Sequence, residues 1–299
     1  MRASRNAIYG SLLLLPAAVL LWTFTYQPIV TTFVDSLFST ARGRRPSVFV
    51  GFDQYRTMIA DPVFWKALSN NVWYALATIP ASMVLALVMA LLVNQHLRAK
   101  GLVRMAFFAP TILPMVAVAN IWLFFYAPDY GLVDRALQVF GLGGHNFLGS
   151  ADTALPALIV ITVWKEAGFF MIFYLAALQQ ISPTLIEAAE LEGATFRQKL
   201  VRVMLPLLMP TTLFISINAV IGAFRLVDHI VVMTKGAPDN ATTLLLFYVY
   251  QVGFGYWDTA YAAALTMVLL ALLALIAFVQ FGIVRSEERR VGKECRSRW

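Results

Sequence analysis

The 299-residue chain is 60% apolar and 13% charged, with a mean hydropathy of +0.73, a balance that excludes an ordinary soluble domain and places the chain in a bilayer. The formal charge of +7 is not a nucleic-acid signature, because the basic residues stand at the ends of apolar runs and not in one basic, aromatic-interleaved patch. A single cysteine, Cys295, excludes a disulfide framework or a Cys-based metal site within the chain.

The first uncharged run, Asn6–Val34, follows Arg2 and Arg5. It extends past the length of a signal-peptide core, and no A-x-A cleavage pattern follows, so it predicts an uncleaved first helix. A segment of about 35 residues leads to the second run, and its later half, Phe52–Asn71, mixes Tyr55, Phe64, Trp65 and Trp73 with Asp53, Asp61 and Lys66, as suits an amphipathic helix at the outer interface. Ala67–Leu97 and Met105–Pro128 are the next uncharged runs. A fourth apolar segment is interrupted by Lys165 and Glu166, and Val203–Phe224 and Thr259–Val284 complete the set. Each is long enough to cross about 30 Å of hydrocarbon. The expected architecture is an all-α polytopic membrane protein of six transmembrane helices, about 8–32, 73–96, 104–126, 153–179, 207–232 and 259–284.

Arg2, Arg5, Arg98, Lys100, Arg104, Arg197, Lys199 and Arg202 fall on one side of this arrangement, against Arg135 and Lys235 in the two later loops of the other. This predicts that both termini are cytoplasmic. The first outer loop breaks the pattern with Arg42, Arg44, Arg45, Arg56 and Lys66. Glycines and prolines make 127–152 and 235–258 read as irregular outer loops, and Pro80, Pro110, Pro114, Pro206 and Pro210 predict kinks near a pathway. Residues 285–299 (RSEERRVGKECRSRW) resemble the in-frame translation of a sequencing adapter, and removing their six basic and three acidic residues takes the formal charge from +7 to +4. The transmembrane domain is therefore expected to be residues 1–284, with 285–299 a non-native tail.

Residues 180–206 form the most informative segment, a cytoplasmic loop between the fourth and fifth spans. Ser182 suits a helix N-cap and Pro183 the first helical position. Glu187, Glu190 and Glu192 precede Arg197, Lys199 and Arg202, which fits one helix with its dipole or two short helices bent at Gly193. The order Glu187-Ala188-Ala189, then Gly193, then Leu205-Pro206 resembles the EAA loop of ABC-importer permeases, with Val203 in place of the family's isoleucine. At about one in fifteen per fixed residue, six such matches arise by chance roughly once in ten million starts. Residues 8–284 look like the carbohydrate branch, closest to a maltose-type or glycerol-3-phosphate-type first permease.

The resemblance implies a pair of permease subunits, two cytoplasmic ATP-binding subunits, an extracytoplasmic solute-binding protein, a sugar or polyol as cargo and a place in the bacterial inner membrane. It also implies that Glu187, Ala188, Ala189, Gly193, Leu205 and Pro206 belong to the loop that couples to the ATPase. No G-x-x-x-x-G-K-[ST] phosphate loop occurs, so ATP hydrolysis is assigned to another chain. No cofactor, metal or nucleic-acid partner is called for.

For the solute path, Lys165 is about 18 Å deep in the fourth span at 1.5 Å per residue, and Asn218 lies at a similar level in the fifth. Asn218, Gly222, Arg225 and His229 share a 4-3-4 helical stripe with Asp228 on its flank, suited to hydrogen-bonding hydroxyl groups. Alternatively, Lys165–Glu166 and Arg225–Asp228 pair with one another or with a neighbouring subunit as structural glue. An ion-coupled secondary carrier is the competing function; it would need internal symmetry, and no repeat is visible.

Overall fold

The computed structural model of the chain describes residues 2–41, 43, 45–95, 99–141 and 143–296, with the backbone alone for residues 2–11, 281 and 283–296. Arg42, Arg44, Arg98 and the last three residues of the tail lie outside the described residues, and the side chains of Arg2 and Arg5 do as well. All regular structure among the described residues is helical apart from isolated bridge residues such as the pair Phe38 and Phe49. In hydrocarbon a helix satisfies its own backbone groups, which is why apolar runs of this length fold so.

The chain divides into two compact units. The first comprises Met1–Phe64 and Tyr248–Leu272. It opens with α1 (Arg2–Leu21), which passes through a wide turn at Trp22–Tyr26 into α2 (Gln27–Asp35). The expected interfacial helix over 52–71 is divided: α3 covers Asp53–Ala60, and α4 begins at Pro62 and runs to Asn94, well before the expected start at residue 73. The break falls at Asp61, whose backbone is extended and whose Oδ1 accepts the Val63 amide at 2.8 Å. Pro62 also disfavours helical geometry in the residue before it.

The Asp61 Oδ2 accepts the hydroxyls of Tyr248 and Tyr261, the latter at 2.6 Å. Burial works against its charge, but these hydroxyls and the Val63 and Phe64 amides together hold the carboxyl below the usual carboxylate range. Tyr248 sits in α13 (Leu245–Tyr250), which continues as a wide turn over Gln251–Gly255; this part of 235–258 is therefore an apolar helix where an irregular loop was expected. Tyr261 sits in the first turns of α14 (Thr259–Arg296), whose backbone stays helical through most of residues 285–299.

The second unit comprises Trp65–Phe247 and Leu273–Trp299. Its centre is α8 (Ala151–Gln180), which buries half of its most apolar window. Phe170, Met171, Tyr174, Leu175 and Leu178 of α8 pack against Ala86, Ala90 and Val93 of α4 and against Leu208, Ile215 and Ala219 of α11 (Leu205–Arg225). Small side chains on the neighbours let the large ones of α8 close the gap, the arrangement expected where lipid offers no hydrophobic drive between helices.

The third expected span, 104–126, is broken. Helix α5 (Lys100–Ile112) and α6 (Met115–Phe125) meet at 101°, with Leu113 extended ahead of Pro114. Among the described residues five helices are long and apolar enough to cross a membrane, or six if the bent pair is one span. Close approach fixes α5 on α8: a β-carbon on Gly168 would lie 2.3 Å from the Phe107 carbonyl oxygen. The 127–152 segment carries α7 (Leu132–Gln138), and the buried Asp134 accepts the amides of Gly144 and His145 and the side chain of Gln138. The His145 amide, ahead of the other donors, holds this carboxyl below its usual range despite burial.

Candidate functional site

The expected coupling segment is helical for most of its length. Helix α9 (Pro183–Leu191) starts after Ser182, which occupies the N-cap position but makes no cap bond to the backbone; its hydroxyl lies 2.8 Å from that of Thr184. After α9 the Gly193 amide donates to the Glu190 carbonyl and the Ala194 amide to the Ala189 carbonyl, both at 2.9 Å. This is a Schellman turn, and its left-handed residue is Gly193, with φ +77°. Nothing lies within 4 Å of the position of a β-carbon there, so backbone conformation and not crowding calls for glycine.

Thr195 and Gln198 then form a capping box for α10 (Phe196–Lys199), and Lys199 pairs with Glu190 across the turn. The acidic and basic residues thus belong to two helices. Within 180–206 the chain is a loop only briefly, since helix resumes at Phe196 and runs on into α11 through a wide turn at Leu200–Met204. Pro206 has no N–H for the carbonyl four residues back, and the Leu205 amide instead closes on Leu200. Glu187, Ala188 and Pro206 are exposed, and Ala189 and Leu205 are half-buried. Leu191 is 91% exposed beside them, with Leu185 and Phe196 also open. The exposed leucine at a helix end drew no attention in the sequence, where it looks like any apolar residue of an amphipathic turn.

In the same unit a narrow cleft lies between α4, α8 and the end of α11. Its lining includes Thr78 and Ser82 from α4, Thr162 and Glu166 from α8, and Gly222 and Leu226. The volume open to the centre of a water molecule is about 20 Å³. The Thr78 hydroxyl donates to the Tyr74 carbonyl at 2.7 Å, and Ser82 to the carbonyl of Thr78. The Tyr74 hydroxyl lies 2.6 Å from Thr162 Oγ1 and 3.2 Å from Nε2 of the buried His229, whose Nδ1 has no partner among the described residues. Glu166 is half-buried; among the described residues its carboxylate makes no hydrogen bond and no ion pair within 4 Å.

Lys165 has a different post. Its ammonium donates to the carbonyls of Pro110 and Thr111 at 3.2 Å and of Leu113 at 2.7 Å, capping α5 at the bend, while Thr111 Oγ1 donates back to the Lys165 carbonyl. Asn218 is exposed and its amide donates to the Phe214 carbonyl, so no hydrogen bond links it to Lys165. The stripe is interrupted as well: α11 ends at Arg225, Leu226 is extended, and α12 (Asp228–Met233) starts a new helix. Of the stripe only Gly222 lines the cleft; Arg225 and Asp228 are exposed without pairing to each other, and His229 is buried against Tyr74. The hydroxyl row Tyr74, Thr78 and Ser82 was missed, although its i, i+4, i+8 spacing inside an uncharged run marks one helical face.

Multiple apolar spans, an exposed ordered helix pair at one end of two of them and a polar cleft between helices define a polytopic transport subunit of the membrane. The chain belongs to the family of binding-protein-dependent transport system inner membrane components, which matches residues 54–291. It is thus a multi-pass cytoplasmic-membrane permease subunit of an ABC importer. It is 32% identical to the sulfoquinovosyl glycerol transport system permease protein SmoG of Agrobacterium fabrum over 95% of this chain and 92% of that protein. It is also 32% identical to the lactose transport system permease protein LacF of Rhizobium radiobacter, over 94% and 95%. A chain from the crystal structure of a bacterial ABC transporter importing the acidic polysaccharide alginate shares the fold, with TM-score 0.83, 24% identity and coverage of 95% and 99%.

Proposed function

We propose that this chain is one of two permease subunits in an importer of a sugar or polyol, phosphorylated or not. The N- and C-termini face the cytoplasm, α9 and the Gly193 turn dock on a cytoplasmic ATP-binding subunit, and an extracytoplasmic solute-binding protein delivers the cargo. The names of SmoG and LacF support the substrate class.

The observation that carries the coupling role is exposed Glu187 and Ala188 on a helix ending in a Schellman turn at Gly193, with Leu191 projecting beside it. An exposed leucine and a ring of charge form an apolar anchor with a polar rim, the pattern of a docking surface. The cleft between α4, α8 and α11 belongs to the solute path, with Glu166 in its lining and Asn218, Arg225 and Asp228 along its approach; Lys165 supports its wall. The test is Glu187→Lys in the reconstituted complex. Solute-stimulated ATP hydrolysis should be lost while expression and protease-mapped topology stay unchanged, because a reversed charge meets a donor-rich groove. Wild-type stimulation would remove 180–206 from the coupling role.

A further inference from the structure

Resting on the proposed solute path, we infer that its cleft accepts an uncharged polyhydroxylated solute and discriminates against the phosphorylated counterpart, with Glu166 as the specificity-determining residue. The reason is the balance of donors and acceptors in the lining. Thr78 and Ser82 each spend their one hydroxyl proton on a backbone carbonyl of their own helix. A hydroxyl has a single donor and two acceptor lone pairs, so both residues face the cleft with acceptor capacity only. Thr162 shares a hydrogen bond with Tyr74. Glu166 adds two carboxylate oxygens that no side chain or amide among the described residues occupies.

The cation beside it does not redress this. An ammonium has three donors, and Lys165 directs them at three carbonyls of the α5–α6 bend. Its charge is felt by Glu166, but its donors are not offered to a solute. Arg225 is exposed at the end of α11 and does not line the cleft. The lining is therefore rich in acceptors and poor in free donors. A sugar or polyol brings hydroxyl donors to such a surface, whereas an ionised phosphate ester brings acceptor oxygens and negative charge against an unpaired carboxylate. The cleft now admits little more than a water molecule, so solute occupies it when α4, α8 and α11 part.

The experiment uses the full permease–ATPase complex in detergent without its binding protein, which would impose a filter of its own. Binding of labelled glycerol against sn-glycerol 3-phosphate, and of trehalose against trehalose 6-phosphate, is measured by equilibrium dialysis. For at least one pair the wild type should favour the neutral member by about tenfold or more, and Glu166→Gln should narrow that ratio by a similar factor. Glu166→Lys should invert it. Equal or stronger binding of the phosphates by the wild type, or ratios unmoved in both variants, would overturn the charge assignment and leave the sugar or polyol importer standing. Absence of binding by every member of both pairs, with uptake of none of them into proteoliposomes containing the whole system, would overturn the proposed cargo class and this inference with it. Uptake of a neutral member in that assay, with its phosphate excluded in the wild type and admitted by Glu166→Gln, would sustain both.

Discussion

Gly193 offers the sharpest test of the coupling turn, because the structure separates two reasons a glycine is needed. Space is open around it, so a β-carbon meets nothing, but its φ of +77° lies in the left-handed region. An L-residue placed there costs roughly 1–2 kcal/mol, more for a β-branched one, whereas asparagine tolerates the conformation. What holds the turn against that cost is modest: one ion pair open to solvent on its Glu190 side, Lys199 to Glu190, worth about 1 kcal/mol, and one capping box on an exposed helix, worth about 1 kcal/mol. Gly193→Val should therefore lower the population of the ordered turn by roughly 5- to 30-fold, at 1.4 kcal/mol per tenfold. Solute-stimulated ATP hydrolysis should fall by a comparable factor, while Gly193→Asn keeps most of it. Equal activity of the two variants would refute the conformational argument, and a loss with asparagine as deep as with valine would mean that the surface, not the backbone, is what the partner reads.

Three further outcomes are expected. Lys165→Met leaves three carbonyls at the α5–α6 bend without their donor, and at roughly 1.5–3 kcal/mol for hydrogen bonds to a charged group should lower the unfolding temperature of the solubilised complex; Lys165→Arg should recover part of it, and unchanged melting in both would deny the cap. The depressed Asp61 carboxyl gives stability that is fully present above its unfolded value near 4 and is lost as pH falls through the lower folded value; acid unfolding of the segment 37–64 followed by hydrogen exchange should begin at higher pH when Tyr248 and Tyr261 are both phenylalanine. Asn218→Ala should reduce uptake while leaving assembly with the ATPase intact, and wild-type uptake would place this exposed amide on a lipid or subunit face.

Apolar run length was enough to reveal α14, because a window of uncharged residues is a direct statement about transfer into hydrocarbon, and α8 was legible from its length and apolar flanks despite Lys165 and Glu166. The turn at Gly193 was also legible, since its residue order carries the conformation. The break between α5 and α6 was not: hydropathy runs unbroken through Leu113 and Pro114, and what stabilises the bend is an ammonium more than fifty residues further along the chain. The same long-range bond explains why Lys165 looked like a solute ligand. A charged residue in an apolar run announces that a partner exists, not which one. His229 and Tyr74 were hidden for the same reason, their contact joining residues 155 apart in sequence.

The uninterrupted helix from Phe196 through the wide turn into α11 has a mechanical meaning. Gly222, in the cleft lining, stands 26 residues beyond Phe196, about 39 Å along the axis at 1.5 Å per residue. Over that length each degree of tilt about one end carries the other sideways by about 0.7 Å. A tilt of a few degrees at the exposed turn, carried along this axis, displaces the cleft wall by the width of an atom.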